Sequence, residues 1–152
     1  MASDSPAKRV VIDADPVSLA RRVADRFLVR VQARIRDGRV AHIALTGGSM
    51  GSAVLRAVAE DPRAHEVDWS LVHFWWGDER FVPRDHPDRN AGQARVALLD
   101  RISVPAENVH EMAASDAGLT LDEGAAAYAA ELARFGDDDR AWPSFAVCFL
   151  GV

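Results

Sequence analysis

Three near-continuous apolar runs of strand length constrain this chain most: Val40–Leu45, Trp69–Trp76 and Phe145–Leu150. A strand with one wet face alternates apolar and polar residues. A strand that is apolar throughout has to be covered on both faces, which is the condition of a parallel sheet between helices. Helical patterns separate the three runs, as βαβ units require. The expected fold is a three-layer α/β domain, Rossmann-like, with a mostly parallel open sheet. The right-handed crossover rule then brings the carboxyl ends of all its strands to one rim.

The helical segments carry their own start and stop signals. Asp15-Pro16 reads as an N-cap followed by proline at the first helical position, and apolar residues recur at helical spacing from Val17 to Ile35 before Gly38. A second helix, through Val54, Leu55 and Val58, ends before Asp61-Pro62. Asn90 is expected to cap a third, with Val96, Leu98, Leu99 and Ile102 as apolar positions. Thr120 and Glu123 form a T-x-x-E capping box at the head of a fourth, from Leu121 to about Phe135. Arg9–Ile12 reads as a first short strand and Asn108–Met112 as an edge strand. Residues 1–8 are expected to be a disordered lead, and 9–152 the N-terminal part of a single α/β domain.

Composition excludes several classes of function. With 152 residues and a net charge of −5, the chain has no basic footprint for nucleic acid. No apolar stretch approaches the ~20 residues of a membrane span, and no apolar signal core follows the N-terminus. A cytoplasmic location is the expectation. Cys148 is the only cysteine, so there is no internal disulfide, and its apolar run suggests a buried, inert thiol.

Two loops should meet at the rim. Gly47-Gly48-Ser49 follows one strand and opens a helix. Such a turn can present backbone N–H groups and a serine hydroxyl to a phosphate, or can simply be a tight β-to-α connection. Its spacing is neither a Walker loop nor G-x-G-x-x-G, and G-G-S-M-G is not a nucleophile elbow. Asp78, Glu79 and Arg80 follow the next strand, where open α/β folds bind ligands. On its own the tripeptide is equally an exposed turn with an internal ion pair. Next to a phosphate cradle, it suggests proton-transfer chemistry on a phosphorylated small molecule. His86 and Asn90 are placed to line the same cleft. Asp78, Glu79, His86 and Asp88 have neither a helical H-x-x-x-H nor an EF-hand spacing, so a metal site is the weaker alternative.

These residues resemble a known family. Leu45-Thr46-Gly47-Gly48-Ser49 is similar to the L-S/T-G-G-S signature of the 6-phosphogluconolactonases. Trp76–Pro83 (WGDERFVP) followed by His86–Asn90 (HPDRN) resembles their W-x-D-E-R-x-V-P and H-P-D-S-N block. Val104–His110 and the opening β-α unit also fit, so the resemblance covers nearly the whole chain. It implies the fold shared with glucosamine-6-phosphate deaminases and hydrolysis of 6-phosphoglucono-δ-lactone in the oxidative pentose phosphate pathway, without a cofactor. It implies that Gly47, Gly48 and Ser49 border the substrate, with Asn90 beside them. Asp78 would lie at the reactive ring, and Arg80 would contact the anionic substrate. The deaminases carry D-E-Y/F there, so Arg80 favours the lactonase. A deaminase-like enzyme or a non-catalytic sugar-phosphate binder is the alternative.

The sequence departs from the family at Met50-Gly51, at Arg89 for the usual serine and at Ala146; none threatens the resemblance. The family's last strand continues into L-G-x-G-x-D-G-H, whose histidine is the expected general base, and Leu150-Gly151-Val152 begins that motif. The expectation is an N-terminal portion, truncated after a central strand, that lacks the base and is inactive alone. Oligomeric state is not legible.

Overall fold

The computed structural model describes residues 8–137 and 139–151. Helix α1 spans Pro16–Arg36, strand β1 Ala41–Leu45, helix α2 Gly48–Glu60 and strand β2 Val72–Trp76. Helix α3 covers Asn90–Ala97, helix α4 Leu121–Arg134 and strand β3 Phe145–Cys148. The three strands form one parallel sheet in the order β2-β1-β3. The parallel α/β architecture expected from the apolar runs is what the chain adopts. Among the described residues, no helix is long and apolar enough to cross a membrane.

The chemistry at the helix ends explains where they start. The Asp15 carboxylate accepts from the Ser18 backbone N–H at 2.9 Å and from its hydroxyl at 2.8 Å, and these bonds lower the Asp15 pKa. Gly38, in the left-handed region at φ 70°, ends α1. Both halves of the Thr120–Glu123 capping box form.

One face of the sheet carries the main core. Ile43, Leu45, Val72, Phe74 and Trp76 pack with Phe27, Leu28 and Val31 of α1, Leu55 and Val58 of α2, and Ala94 of α3. The other face is different in kind. His42, His73 and Trp75 point from it towards His110, Tyr128, Glu131 and Phe135. The His73 Nδ1 and His110 Nε2 atoms lie 2.8 Å apart, and His110 Nδ1 lies 2.9 Å from Glu131 Oε1. Trp75 stacks on His110 with centroids 3.8 Å apart and donates its indole N–H to His42 Nδ1. α4 therefore docks through aromatic and polar tips, and Gly124 is its only buried residue.

The outer edge of β2 is closed without a full strand. The Asn108 carboxamide donates to the Ser70 and Val72 carbonyls at 2.9 and 3.1 Å, and the His110 N–H donates to the Phe74 carbonyl at 2.9 Å. The Tyr128 hydroxyl accepts from the Trp76 N–H and donates to the Trp76 carbonyl. The outward carbonyls of Ser70, Val72, Phe74 and Trp76, and the Trp76 N–H, thus find partners.

Several expectations are corrected. Arg9–Ile12 is not a strand: Val10 and Ile12 are exposed, and among the described residues nothing pairs with them. Asn108–Met112 reduces to a 3-10 turn at Ala106–Asn108 and a single parallel bridge from Phe74 to Val109. Trp69–Leu71 is a 3-10 turn, since Asp68 caps Ser70 and the Trp69 indole binds the Ala64 carbonyl, so β2 begins at Val72. Phe145–Leu150 is half-buried rather than covered on both faces, and Cys148 is exposed, because β3 pairs on one side only. The disorder expected for residues 1–8 falls, for 1–7, outside the described residues; Lys8 is exposed and outside any helix or strand.

Candidate active site

The parallel register pairs Leu45 with Trp76, and the Gly77 N–H donates to the Leu45 carbonyl at 3.1 Å. The Gly47–Ser49 turn and the Asp78–Arg80 loop therefore leave adjacent strand ends on one rim. Asn90 links them. Its Nδ2 donates to the Asp78 carbonyl at 3.1 Å, while its Oδ1 occupies the space where a Gly47 side chain would begin. Gly47→Ala would push this carboxamide away from Asp78. Its expected cost is about 1–3 kcal/mol, the usual range for overpacking, read from the urea midpoint.

The Gly47–Ser49 turn is not an open anion nest throughout. Gly48 sits at φ 86°, and its N–H donates to Gln93 Oε1 at 3.3 Å. The donors left for a ligand are the Ser49 hydroxyl and the next amides at the head of α2, where the helix dipole adds positive potential. They face a cavity of about 340 Å³ that also contacts Leu19, Val23 and Phe149–Gly151.

The three loop charges separate. Asp78 and Arg80 are exposed, and the Arg80 guanidinium pairs with no carboxylate among the described residues. Arg80 lines an apolar groove with Phe81, Leu121, Tyr128 and Leu132 rather than the Gly47 cavity. Glu79 turns inward, its side chain only 3% exposed. Its carboxylate accepts from the N–H groups of Arg80, Asn90 and Ala91 at 2.8, 2.7 and 2.9 Å. Asn90 is therefore not the N-cap of α3. It is the first helical residue, and Glu79 caps α3 from twelve residues back in the chain. His86 lies in a different cleft, between α2 and α3, where its Nδ1 accepts from the Asp88 N–H.

A family model described as glucosamine-6-phosphate isomerases/6-phosphogluconolactonase matches residues 14–152. The chain belongs to this family. The 6-phosphogluconolactonase of Streptomyces coelicolor is 40% identical over 154 residues, covering 99% of this chain and 58% of the relative. That of Mycobacterium tuberculosis is 39% identical over 145 residues, covering 94% and 58%. The chain thus spans a little over half the length of the curated relatives it matches. A crystal structure of a devB protein superposes with a TM-score of 0.72 at 30% identity, over 83% of this chain and 52% of that one. The 6-phosphogluconolactonase of Thermotoga maritima gives 0.71 at 23% identity over 84% and 54%, a likeness of fold.

In this member of the family, the site has a support that the sequence motif did not reveal. Arg89 is the most deeply buried charged side chain among the described residues. Its Nη2 donates to the Met112 carbonyl at 2.9 Å, and its Nη1 donates to the Arg80 carbonyl at 3.2 Å. Its Nε lies 3.7 Å from Glu79. Glu79 and Arg89 together fix the backbone that carries Asp78 and Arg80. The replacement of the family's usual serine by arginine was the only sequence signal for this. Gln93, which covers the Gly48 amide, and Tyr128, which holds the Trp76 backbone, had no signal at all.

Proposed function

We propose that the protein acts as a 6-phosphogluconolactonase, hydrolysing 6-phosphoglucono-δ-lactone to 6-phosphogluconate. The observation that supports this best is the Asn90 bridge, which joins the Gly-Gly-Ser turn to the Asp-Glu-Arg loop across adjacent strand ends. In this reading the phosphate lies at the head of α2, on the Ser49 hydroxyl and the free amides, and Gly47 and Gly48 let it approach. Asp78 stands at the lactone ring and orients the attacking water. Arg80, exposed and unpaired among the described residues on the loop that follows β2, reaches the anionic substrate from the adjoining groove, and Asn90 holds the Asp78 backbone in place. Water oxygen adds to the ring carbonyl, the ring C–O bond breaks, and the ring oxygen takes a proton. A carboxylic acid and a free hydroxyl result.

A strong base for the water is the part these residues supply least well. His42, His73 and His110 lie on the α4 face, His65 is in a surface turn, and His86 is in the α2–α3 cleft. We therefore expect the chain to bind 6-phosphogluconate, and lactone hydrolysis above the spontaneous rate to rest on Asp78 as the base for the attacking water. The Streptomyces coelicolor relative serves as the positive control. Arg80→Ala is expected to weaken 6-phosphogluconate binding about tenfold, as loss of a charge-assisted hydrogen bond would. Stability should change by no more than about 0.5 kcal/mol, because the side chain is exposed. Unchanged affinity in the variant, or turnover of glucosamine 6-phosphate instead of the lactone, would defeat the reading. We place the reaction in the cytoplasm, because charged sugar phosphates do not cross a lipid core.

A further inference from the structure

A cavity of about 500 Å³, larger than the one of about 340 Å³ at the Gly47 turn, lies elsewhere in the fold. It lies between α2 and α3 under the Arg84–Pro87 loop. Its floor holds buried Arg89, whose Nε makes no hydrogen bond. Its walls carry Arg56 from α2, Arg84 and His86 from the loop, and Arg95 from α3. The carboxylates that face it are Asp85 and Glu111. Glu111 is bound by Arg95, and Arg89 has Glu79 nearby. Arg56 and Arg84 pair with no carboxylate among the described residues. This leaves a surplus of positive charge in one concave place on a chain whose net charge is −5. Field lines concentrate in such a cleft and raise the local concentration of anions.

Hydrogen-bonding groups accompany the charge. Ser52 lies one helical turn before Arg56, so its hydroxyl and that guanidinium share a face of α2. The loop is held in place on both sides: the Arg84 N–H donates to Asp116 at 3.1 Å, and Gln93 Nε2 donates to the Pro87 carbonyl at 3.2 Å. Two guanidiniums presented from separate elements, with a hydroxyl on the same helix face as one of them, suit a tetrahedral oxyanion better than a planar carboxylate.

We propose that the α2–α3 cleft is a second anion site, distinct from the Gly47–Arg80 rim, that takes a small organic phosphate through Arg56 and Arg84. The volume exceeds what one phosphate needs, so the ligand carries an organic or second phosphoryl part lying along Gly92 and Val96. The two sites share Gln93, which touches the Gly48 amide on one side and the loop on the other.

The test uses inorganic pyrophosphate as the probe, titrated into the 152-residue chain by calorimetry and amide NMR at fixed ionic strength. Saturable binding is expected, with the largest shifts at Ser52, Arg84 and the Gln93 side chain. Arg56→Ala together with Arg84→Ala should weaken it at least tenfold, and either change alone should weaken it less. Arg80→Ala and Ser49→Ala should leave it within twofold. Non-saturable shifts, or equal affinity in the double variant, would overturn the proposal. So would loss of binding in Arg80→Ala or Ser49→Ala, which would place the pyrophosphate at the rim. Because neither rim residue is altered in the double variant, failure here leaves the lactonase reading untouched.

Discussion

Replacing Glu79 with alanine is expected to cost about 3–5 kcal/mol of folding stability, the range for removing one partner of a buried ion pair. The carboxylate accepts three backbone N–H groups, two of them at the start of α3, where a helix has no internal acceptor to offer. Removing it leaves those amides without a partner and Arg89 buried without its nearest opposite charge. Glu79→Gln keeps one acceptor oxygen and the shape but not the charge, and is expected to cost about 1–3 kcal/mol. Arg89→Ser should fall below Glu79→Ala, since Glu79 would keep its three amide donors while only carbonyls lose theirs. The double variant should cost less than the sum of the two, because the groups touch. Asp78→Ala, exposed and one residue away, provides the control at no more than about 0.5 kcal/mol. Urea unfolding with an unchanged slope reads all of these. A Glu79→Ala midpoint equal to that of Asp78→Ala would mean that the inward geometry contributes nothing.

Glu79 also shows where sequence reading reached its limit. A run of three charges after a strand says that the loop is polar, but not which charge faces the solvent. Local signals were sufficient where the partner is a near neighbour in sequence. Asp15 caps Ser18, and Thr120 caps Glu123, so α1 and α4 were legible at their first residues. Asn90 looked like a cap by the same rule, and the rule failed because a carboxylate eleven residues earlier takes its N–H. Edges were harder still. Arg9–Ile12 and Asn108–Met112 have strand-like composition, but a strand exists only if a neighbour pairs with it. β2's outer edge is instead satisfied by side chains from Asn108 and Tyr128. Cys148 follows the same logic: an apolar sequence predicts burial, yet exposure depends on what lies across an edge that one strand cannot specify. The shared rim of the two motif loops was legible because parallel topology fixes strand direction. The separation of Arg80 and His86 into other clefts was not, because it depends on how α3 and α4 pack.

Mild acid should release α4 before it unfolds the rest. The imidazoles beneath α4 form a chain in which His42 Nδ1 and one nitrogen of the His73–His110 contact must stay unprotonated. Glu131 accepts a hydrogen bond from His110 Nδ1–H, so His110 Nε2 is an acceptor and His73 Nδ1 a donor, while His42 Nδ1 accepts from Trp75. Desolvation lowers the pKa of all three, with repulsion between the rings adding to it for His42 and His73; His42 falls to about 4. Other charges face the cluster. Arg34 and Asp137 act on His42 in opposite directions, and on the α4 side Glu131 favours a charged His110 while Arg134 opposes it. Burial pushes the Glu131 carboxyl up, but its bonds to Arg134 and His110 leave it below the ordinary value. Tyr128 is raised to about 12 and stays neutral throughout. The sign follows from the depressed histidine values. The fold favours neutral imidazole, so this stability is complete above the unfolded-state pKa of about 6.5 and drains away as pH falls towards 4. α4 is the element held by this cluster, with no buried apolar residue of its own beyond Gly124. Amide exchange, corrected for intrinsic rate, should therefore lose protection across α4 between about pH 6 and 4 while α1 stays protected. His42→Asn keeps an acceptor for the Trp75 indole and cannot titrate, so its melting temperature should fall less than the wild type's over the same interval. Parallel loss of protection in α1 and α4, or identical pH slopes for the variant and the wild type, would show that the histidine cluster does not govern how α4 is held.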